Sequence, residues 1–280
     1  MKLRNLISGL CLLAAISLTA CNSGEDKKDP EPESDMKEVK VKEMPVEYAG
    51  DSVTMNGYVA FNENQEGTRP GVLIVPEWWG VTDYVKGRAK QLAELGYIAF
   101  VVDMYGNGKT ADNPKLAGEL AMPFYTNPGK AQARFDAALA KLKTYPETDA
   151  SKIAAIGYCF GGAQVLNMAR LGEDLKGVVS FHGNLAGVPV DKNKLKAAVL
   201  VCHGGADPFV PNTEVITFRK QMDSIGANYT FKAYDGALHA FTNPNATAMG
   251  EKFQLPIKYN AAADSASFQD MKDFFGVIFR

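Results

Sequence analysis

The stretch "IAAIGYCFGGAQVLNMA", residues 153–169, decides how the rest of the chain is read. The run "KIAAIGY" at 152–158 is apolar and has the length of a buried strand, while "GAQVLNMARLG" has apolar residues at helical spacing. Between them stands Gly157-x-Cys159-x-Gly161, where strand passes straight into helix. That is the spacing of a nucleophile elbow, with Cys where Ser is commoner. The turn is sharp, and side chains at the glycine positions would strike the neighbouring strand and helix. Such a turn presents the thiol at the carboxyl edge of a sheet, where these folds bind ligands. It also sets sulfur at a helix N-terminus, whose partial positive charge favours thiolate. Taken alone, the motif fits equally a tight Gly-rich turn around a small buried side chain.

The flanking sequence supplies the sheet. "GVLIVPE" (71–77) and "YIAFVVDMY" (97–105) read as buried strands, with "DYVKGRAKQLAELG" between them as an amphipathic helix ending on Gly96. "KAQARFDAALAKLKTY" (130–145) follows as helix, "GVVSFHG" (177–183) and "AAVLVCHG" (197–204) as strands. A helix near "NTEVITFRKQMDSIG", a strand at "NYTFKAYD" and a last helix after residue 262 complete the series. Alternation of this kind predicts an α/β domain, a mostly parallel sheet with helices on both faces. Gly106 to Pro128, dense in Gly, Pro and Asn, reads as the least regular segment and a candidate pocket flank.

Chain order strengthens the elbow. Hydrolases built on this turn place an acid and then a histidine after the nucleophile. Here "HGGADPFVP" offers Asp207 just past a strand, and "DGALHAF" offers His239 in the loop after the next one. An acid in that place fixes the imidazole tautomer, and the imidazole exchanges protons with nucleophile and water. His182 and His203 precede the acid and read as packing or turn residues. Asp235 is a fallback acid, although "YDG" is ordinary turn chemistry.

Composition limits the alternatives. The chain has 280 residues, 46% hydrophobic, enough for a large core, and acids exceed bases by only two (32 against 30). No global field steers nucleic acid, and nothing in the composition sets an oligomeric state. Residues 1–20 run from Lys2 and Arg4 through "LISGLCLLAAISL" to "LTAC", the pattern of a secretory signal too short to span a bilayer permanently. The ending resembles a bacterial lipobox, which implies a mature chain starting at a lipidated Cys21, exported and anchored to a bacterial membrane only through that lipid. Residues 21–44, charged and poor in large apolar side chains, read as a tether, leaving 45–280 as the folded domain. Cys11 leaves with the signal, so Cys159 and Cys202 remain. If their strands are separated by one other, they stand about 9.6 Å apart at roughly 4.8 Å per step, beyond the roughly 7 Å a disulfide allows. Cys202 then reads as a buried filler and Cys159 as a free thiol.

Together "VPEWWG", "GYCFGG", "HGGADPFVP" and "GALHAFTNP", in this order along the chain, resemble the dienelactone hydrolases, cysteine-nucleophile members of the α/β-hydrolase fold. The resemblance covers roughly residues 46–280. It implies a carboxymethylenebutenolidase-type hydrolase with a Cys159, Asp207, His239 triad and no metal or organic cofactor. It implies Glu77 as a fourth participant that contacts the resting thiol, and backbone N–H groups of Trp78 and Phe160 as the oxyanion hole. Such donors typically stabilise the transition state by ~3 to 4 kcal/mol each. Relatives acting on dienelactone hold the substrate carboxylate with arginines; here Asn243 stands in one such place, and residues 106–128 contain no arginine. Trp78, Trp79, Tyr105, Phe124 and Tyr125 suggest an aromatic pocket wall, with Asn243 facing the substrate.

A thiolate leaves a tetrahedral intermediate more readily than an ordinary alkoxide does. The expected substrates are therefore small esters or lactones with stabilised leaving groups, such as enol lactones and aryl or enol esters, and the missing arginines make neutral ones the expectation. A loop lysine, Lys109, Lys115 or Lys130, could substitute for the arginines. Two other classes stay open: a catalytically silent binding module that keeps the fold, and a thiol redox protein, which would want a resolving cysteine close to Cys159.

Overall fold

The computed structural model describes residues 38–280, so the signal segment, Cys21 and most of the expected tether lie outside the described residues. The chain order is β1 (Val41–Gly50), β2 (Val53–Asn62), β3 (Arg69–Val75), α1 (Asp83–Glu94), β4 (Ile98–Val101), α2 (Pro114–Thr126), α3 (Pro128–Leu142) and β5 (Thr148–Tyr158). It continues with α4 (Phe160–Leu171), β6 (Gly177–Phe181), β7 (Ala198–Gly204), α5 (Asn212–Ser224), β8 (Tyr229–Tyr234), α6 (Ala246–Phe253) and α7 (Ala261–Ile278). One eight-stranded sheet is formed in the order β1-β2-β4-β3-β5-β6-β7-β8. The first two pairings, β1 with β2 and β2 with β4, are antiparallel, and all the others are parallel.

Alternate residues of the parallel strands enter two separate cores. Leu73, Val75, Ala155, Val178 and Val199 pack with Phe124 of α2, Phe135 of α3, Val165 of α4 and Phe218 of α5. Val72, Ile74, Ile156, Val179 and Leu200 pack with Val85 and Leu92 of α1 and with Met271 and Phe275 of α7. A sheet buried on both faces requires apolar runs rather than alternation, which is why these strands were legible as short hydrophobic stretches. At about 25 cal/mol per Å² of apolar surface removed from water, these two layers supply most of the drive to fold.

Four elements depart from the sequence reading, one of them β2, since that reading has no strand over residues 53–62. β1 takes in residues 41–44, which the sequence reading places in the tether, and closes on β2 through Asp51 and Ser52, both at positive φ (47° and 60°), a two-residue loop of the primed hairpin type. The segment 106–128 contains helix α2, and α6 occupies the stretch after "TNP". The expected fold class stands: Tyr158, Phe181 and Cys202 are register partners on adjacent strands β5, β6 and β7, so Cys159 and Cys202 are free thiols separated by a strand.

Candidate active site

The carboxyl ends of the parallel strands deliver the chemistry-bearing residues to one edge. Cys159 leaves β5 at φ 53°, ψ −116° and caps α4, a backbone conformation uncommon for a residue with a Cβ. Its neighbours make room for it. A Cβ on Gly157 would lie 2.0 Å from the Gly161 carbonyl oxygen, and one on Gly161 would lie 2.1 Å from that of Val75. Helix α4 therefore reaches the sheet only with glycine at both places. The Cys159 amide is held from the β6 side, donating to the Phe181 carbonyl at 3.0 Å and to Nδ1 of His182 at 3.1 Å.

Asp207 follows β7 and His239 follows β8, and the structure brings them together: Nδ1 of His239 lies 2.8 Å from Oδ2 of Asp207. The other carboxylate oxygen of Asp207 accepts the Phe209 amide at 2.8 Å, so the acid cannot swing away. Burial opposes charge on the His239 ring, but the Cys159 sulfur and the Asp207 carboxylate outweigh it through charge and hydrogen bonds and push it up to about 10. Asp235 sits in the turn after β8 and takes no part in this pair.

Glu77 lies two residues past β3 and is buried (2% exposed). Nδ2 of Asn243 donates to its Oε2 at 2.7 Å, while Oδ1 of Asn243 accepts the Asn245 amide at 2.9 Å. Burial raises Glu77 to about 7, against the Asn243 hydrogen bond and the positive fields of His239 and Arg88. A carboxyl in that range sits beside the thiol and imidazole in the same cavity wall.

The cavity has a volume of about 260 Å³. Glu77, Cys159 and His239 line it together with Trp78, Trp79, Ala121, Met122, Tyr125, Phe209, Leu255 and Ile257, among others. Among the described residues no lysine or arginine lines it. Trp79 stacks on Phe253 of α6, with ring centroids 6.0 Å apart. Two expected pocket residues are corrected. Asn243 does not line the cavity, because both ends of its amide are engaged behind Glu77. Tyr105 also lies behind the wall: its hydroxyl donates to the Trp78 carbonyl at 2.8 Å, and its ring packs on Phe124 and Phe160. Of the aromatic wall expected from sequence, Trp78, Trp79 and Tyr125 line the cavity, and Phe124 is core. Lys109 and Lys115 are absent from the lining, and Lys130 lies over the Phe124 ring instead.

Beyond Tyr125, the sequence reading missed what α2 contributes, namely Gly118, Ala121 and Met122, and what Phe209, Leu255 and Ile257 add. It also missed His182. Far from being only a packing residue, His182 touches the main chain of the nucleophile. His203, next to Phe231, remains a buried strand-end residue. Among the described residues no cluster of three or more His, Cys, Asp or Glu could hold a metal ion, and no helix is long and apolar enough to cross a membrane.

Residues 55–279 match the profile of the dienelactone hydrolase family. A crystal structure of a dienelactone hydrolase-like promiscuous phosphotriesterase from metagenomic libraries is 32% identical, with a TM-score of 0.80, covering 85% of this chain and 98% of that one. Protein Usf of Aquifex pyrophilus is 32% identical over 203 residues, 71% of this chain and 86% of its own length. A protein of Aquifex aeolicus, provisionally named a carboxymethylenebutenolidase, is 29% identical over 203 residues, again 71% of this chain and 86% of its own.

Proposed function

Because this chain belongs to the dienelactone hydrolase family and is a hydrolase of esters or lactones, we propose that it cleaves neutral, activated substrates of that class through Cys159, His239 and Asp207. The observation that carries the reading is the cavity, which joins Cys159 and His239 to an apolar and aromatic wall and, among the described residues, contains no lysine or arginine.

In the proposed reaction, the Cys159 sulfur adds to the substrate carbonyl, whose oxygen takes up the negative charge. The amide of Phe160 suits that charge, because it is the first residue of α4 and has no intrahelical acceptor. The Trp78 amide is the second donor in this reading, and the Tyr105 hydroxyl steadies the loop that carries it. The carbonyl reforms, the C–O bond breaks, and the leaving oxygen takes a proton from His239. This leaves a thioester on Cys159. Water then gives its proton to His239 and adds to the thioester, and collapse of that adduct releases the acid and the thiolate. Asp207 holds the His239 tautomer throughout and supports its positive charge.

The test is a panel of aryl esters, enol esters and lactones offered to the full chain and to Cys159→Ala. Hydrolysis by the wild type that disappears in Cys159→Ala supports the reading; an active Ala variant refutes it. We also propose that Cys21 carries lipid, on the strength of the "LTAC" junction. Mass spectrometry of the mature N-terminus tests this, and an unmodified cysteine there removes the claim.

A further inference from the structure

His182 is a residue that neither the triad nor the cavity requires. It follows the last residue of β6 and adopts φ 43°, which turns its ring back over the nucleophile turn. The ring is buried (1% exposed) and bonded at both nitrogens. Nδ1 lies 3.1 Å from the Cys159 amide nitrogen, and Nε2 lies 2.7 Å from Oγ1 of Thr242. A backbone N–H can only donate, so Nδ1 must be the acceptor and the ring proton must sit on Nε2, which donates to Thr242. Burial, with the positive fields of His239 and Arg88, keeps the ring neutral and so preserves that pattern.

Thr242 is anchored in turn. Its Oγ1 lies 2.6 Å from the Tyr84 hydroxyl, and its carbonyl accepts Nη2 of Arg88 at 2.6 Å, the same nitrogen that bridges to Asp264 at 2.5 Å. Thr242 lies three residues beyond His239 on one short loop, whose Ala240 has φ 58°. The nucleophile and the base thus reside on separate segments, each holding a non-glycine residue in the left-handed region. Such conformations persist where surrounding contacts over-determine them.

We propose that His182 is a positioning residue: its imidazole ties the main chain of Cys159 to the hydroxyl of Thr242 and so fixes the nucleophile turn against the loop carrying His239. The inference rests on the hydrolytic reading of Cys159 and His239 given above. A core histidine satisfied by chance would stabilise the fold without touching the relative placement of thiol and imidazole. A bridge sets that placement, to which the chemical step is far more sensitive than substrate binding is.

The test uses the full chain with Thr242→Val, which is nearly isosteric but lacks the hydroxyl, Thr242→Ser, which restores it, and His182→Asn. Asn tolerates positive φ and can still accept from the Cys159 amide, but it is too short to reach Thr242. Three quantities are measured: kcat and KM on a neutral aryl acetate, the rate of Cys159 alkylation by iodoacetamide, and Tm. The expected result for Thr242→Val is a kcat lower by about ten- to a hundredfold, with KM changed by less than about twofold and alkylation slowed. Thr242→Ser recovers most of the loss. His182→Asn falls as Thr242→Val does, and the double variant falls little further, because both cut one bridge. A Thr242→Val protein with wild-type kcat and a lowered Tm would overturn the proposal. If the wild type hydrolyses no ester, the functional reading fails instead. Alkylation needs no substrate and still decides the bridge: an unchanged rate in Thr242→Val overturns it.

Discussion

The side-chain amide of Asn243 donates to the Glu77 carboxylate across 2.7 Å, although the two residues are 166 positions apart in sequence. This contact places Asn243 behind the reacting groups rather than among the substrate contacts. An arginine introduced there would meet Glu77 before it met any substrate, so anion recognition has to be tested at the cavity wall itself.

Substrate charge is the first prediction. A carboxylate entering a cavity that is lined by Glu77 and, among the described residues, by no lysine or arginine loses hydration, while the His239 ring is already paired with Asp207. The wild type should therefore show higher kcat/KM for the methyl ester of a carboxylate-bearing lactone than for the lactone acid. Met122→Arg, at an exposed point of the wall, should move that ratio towards the acid by about tenfold. A wild type that already prefers the acid would contradict the reading of the pocket and leave the triad untouched.

Stability should carry a signature of Glu77. An unfolded glutamate titrates near about 4.3, whereas burial raises this one to about 7 in the folded protein. The native state therefore binds the proton more tightly. The resulting stabilisation is complete below the unfolded value, fades as pH rises through the folded value, and amounts at most to roughly 4 kcal/mol. Glu77→Gln stays neutral and removes this dependence. Relative to wild type, it should gain Tm between about pH 5 and about pH 8. A constant difference over that range would show that Glu77 is not the titrating group.

The two thiols should differ in reactivity. Cys202 is fully buried, and burial pushes its thiol up to about 12, while Cys159 is half-buried and lines the cavity. Brief iodoacetamide treatment of the folded chain, followed by peptide mapping, should label Cys159 and spare Cys202, and prior unfolding should release both. Equal labelling in the folded state would contradict the assignment.

Gly161→Ala should damage the protein as a whole rather than the chemistry alone. The added Cβ meets the backbone oxygens of Val75 and Pro76 at 2.1 and 2.6 Å, and neither can move without displacing the end of β3. A loss of about 3 kcal/mol or more is expected, read from denaturant midpoints. A variant as stable as the wild type would mean that α4 can shift away from the sheet.

The central strands and their sequels were legible because each is a short apolar run closed by a turn. Cys159, Asp207 and His239 could be singled out from the ends of those runs together with the elbow spacing and the order of acid and histidine after it. What was hidden follows from local composition. β1 carries Lys42, Glu43 and Pro45 and is largely exposed, so it resembles a solvated leash until its partner is known. In residues 106–128, Asn113 and Asn127 each cap a helix whose first residue is proline, Pro114 and Pro128. Both Asn-Pro pairs are helix-start signals, yet amid many Gly and Asn they read as loop. The bonds from His182 to Cys159 and from Asn243 to Glu77 join residues far apart in sequence, and no periodicity announces them.

Residues 239–243 contain His239, Thr242 and Asn243, three side chains that each bond to a different strand end. So dense an arrangement leaves that loop little freedom to vary. Gly118, Ala121 and Met122 of α2 touch the same cavity from a helix remote from those bonds. Mutational drift, or a directed library, can therefore reshape substrate choice along α2 while the reaction itself stays intact, so the molecule keeps the part that can evolve apart from the part that cannot.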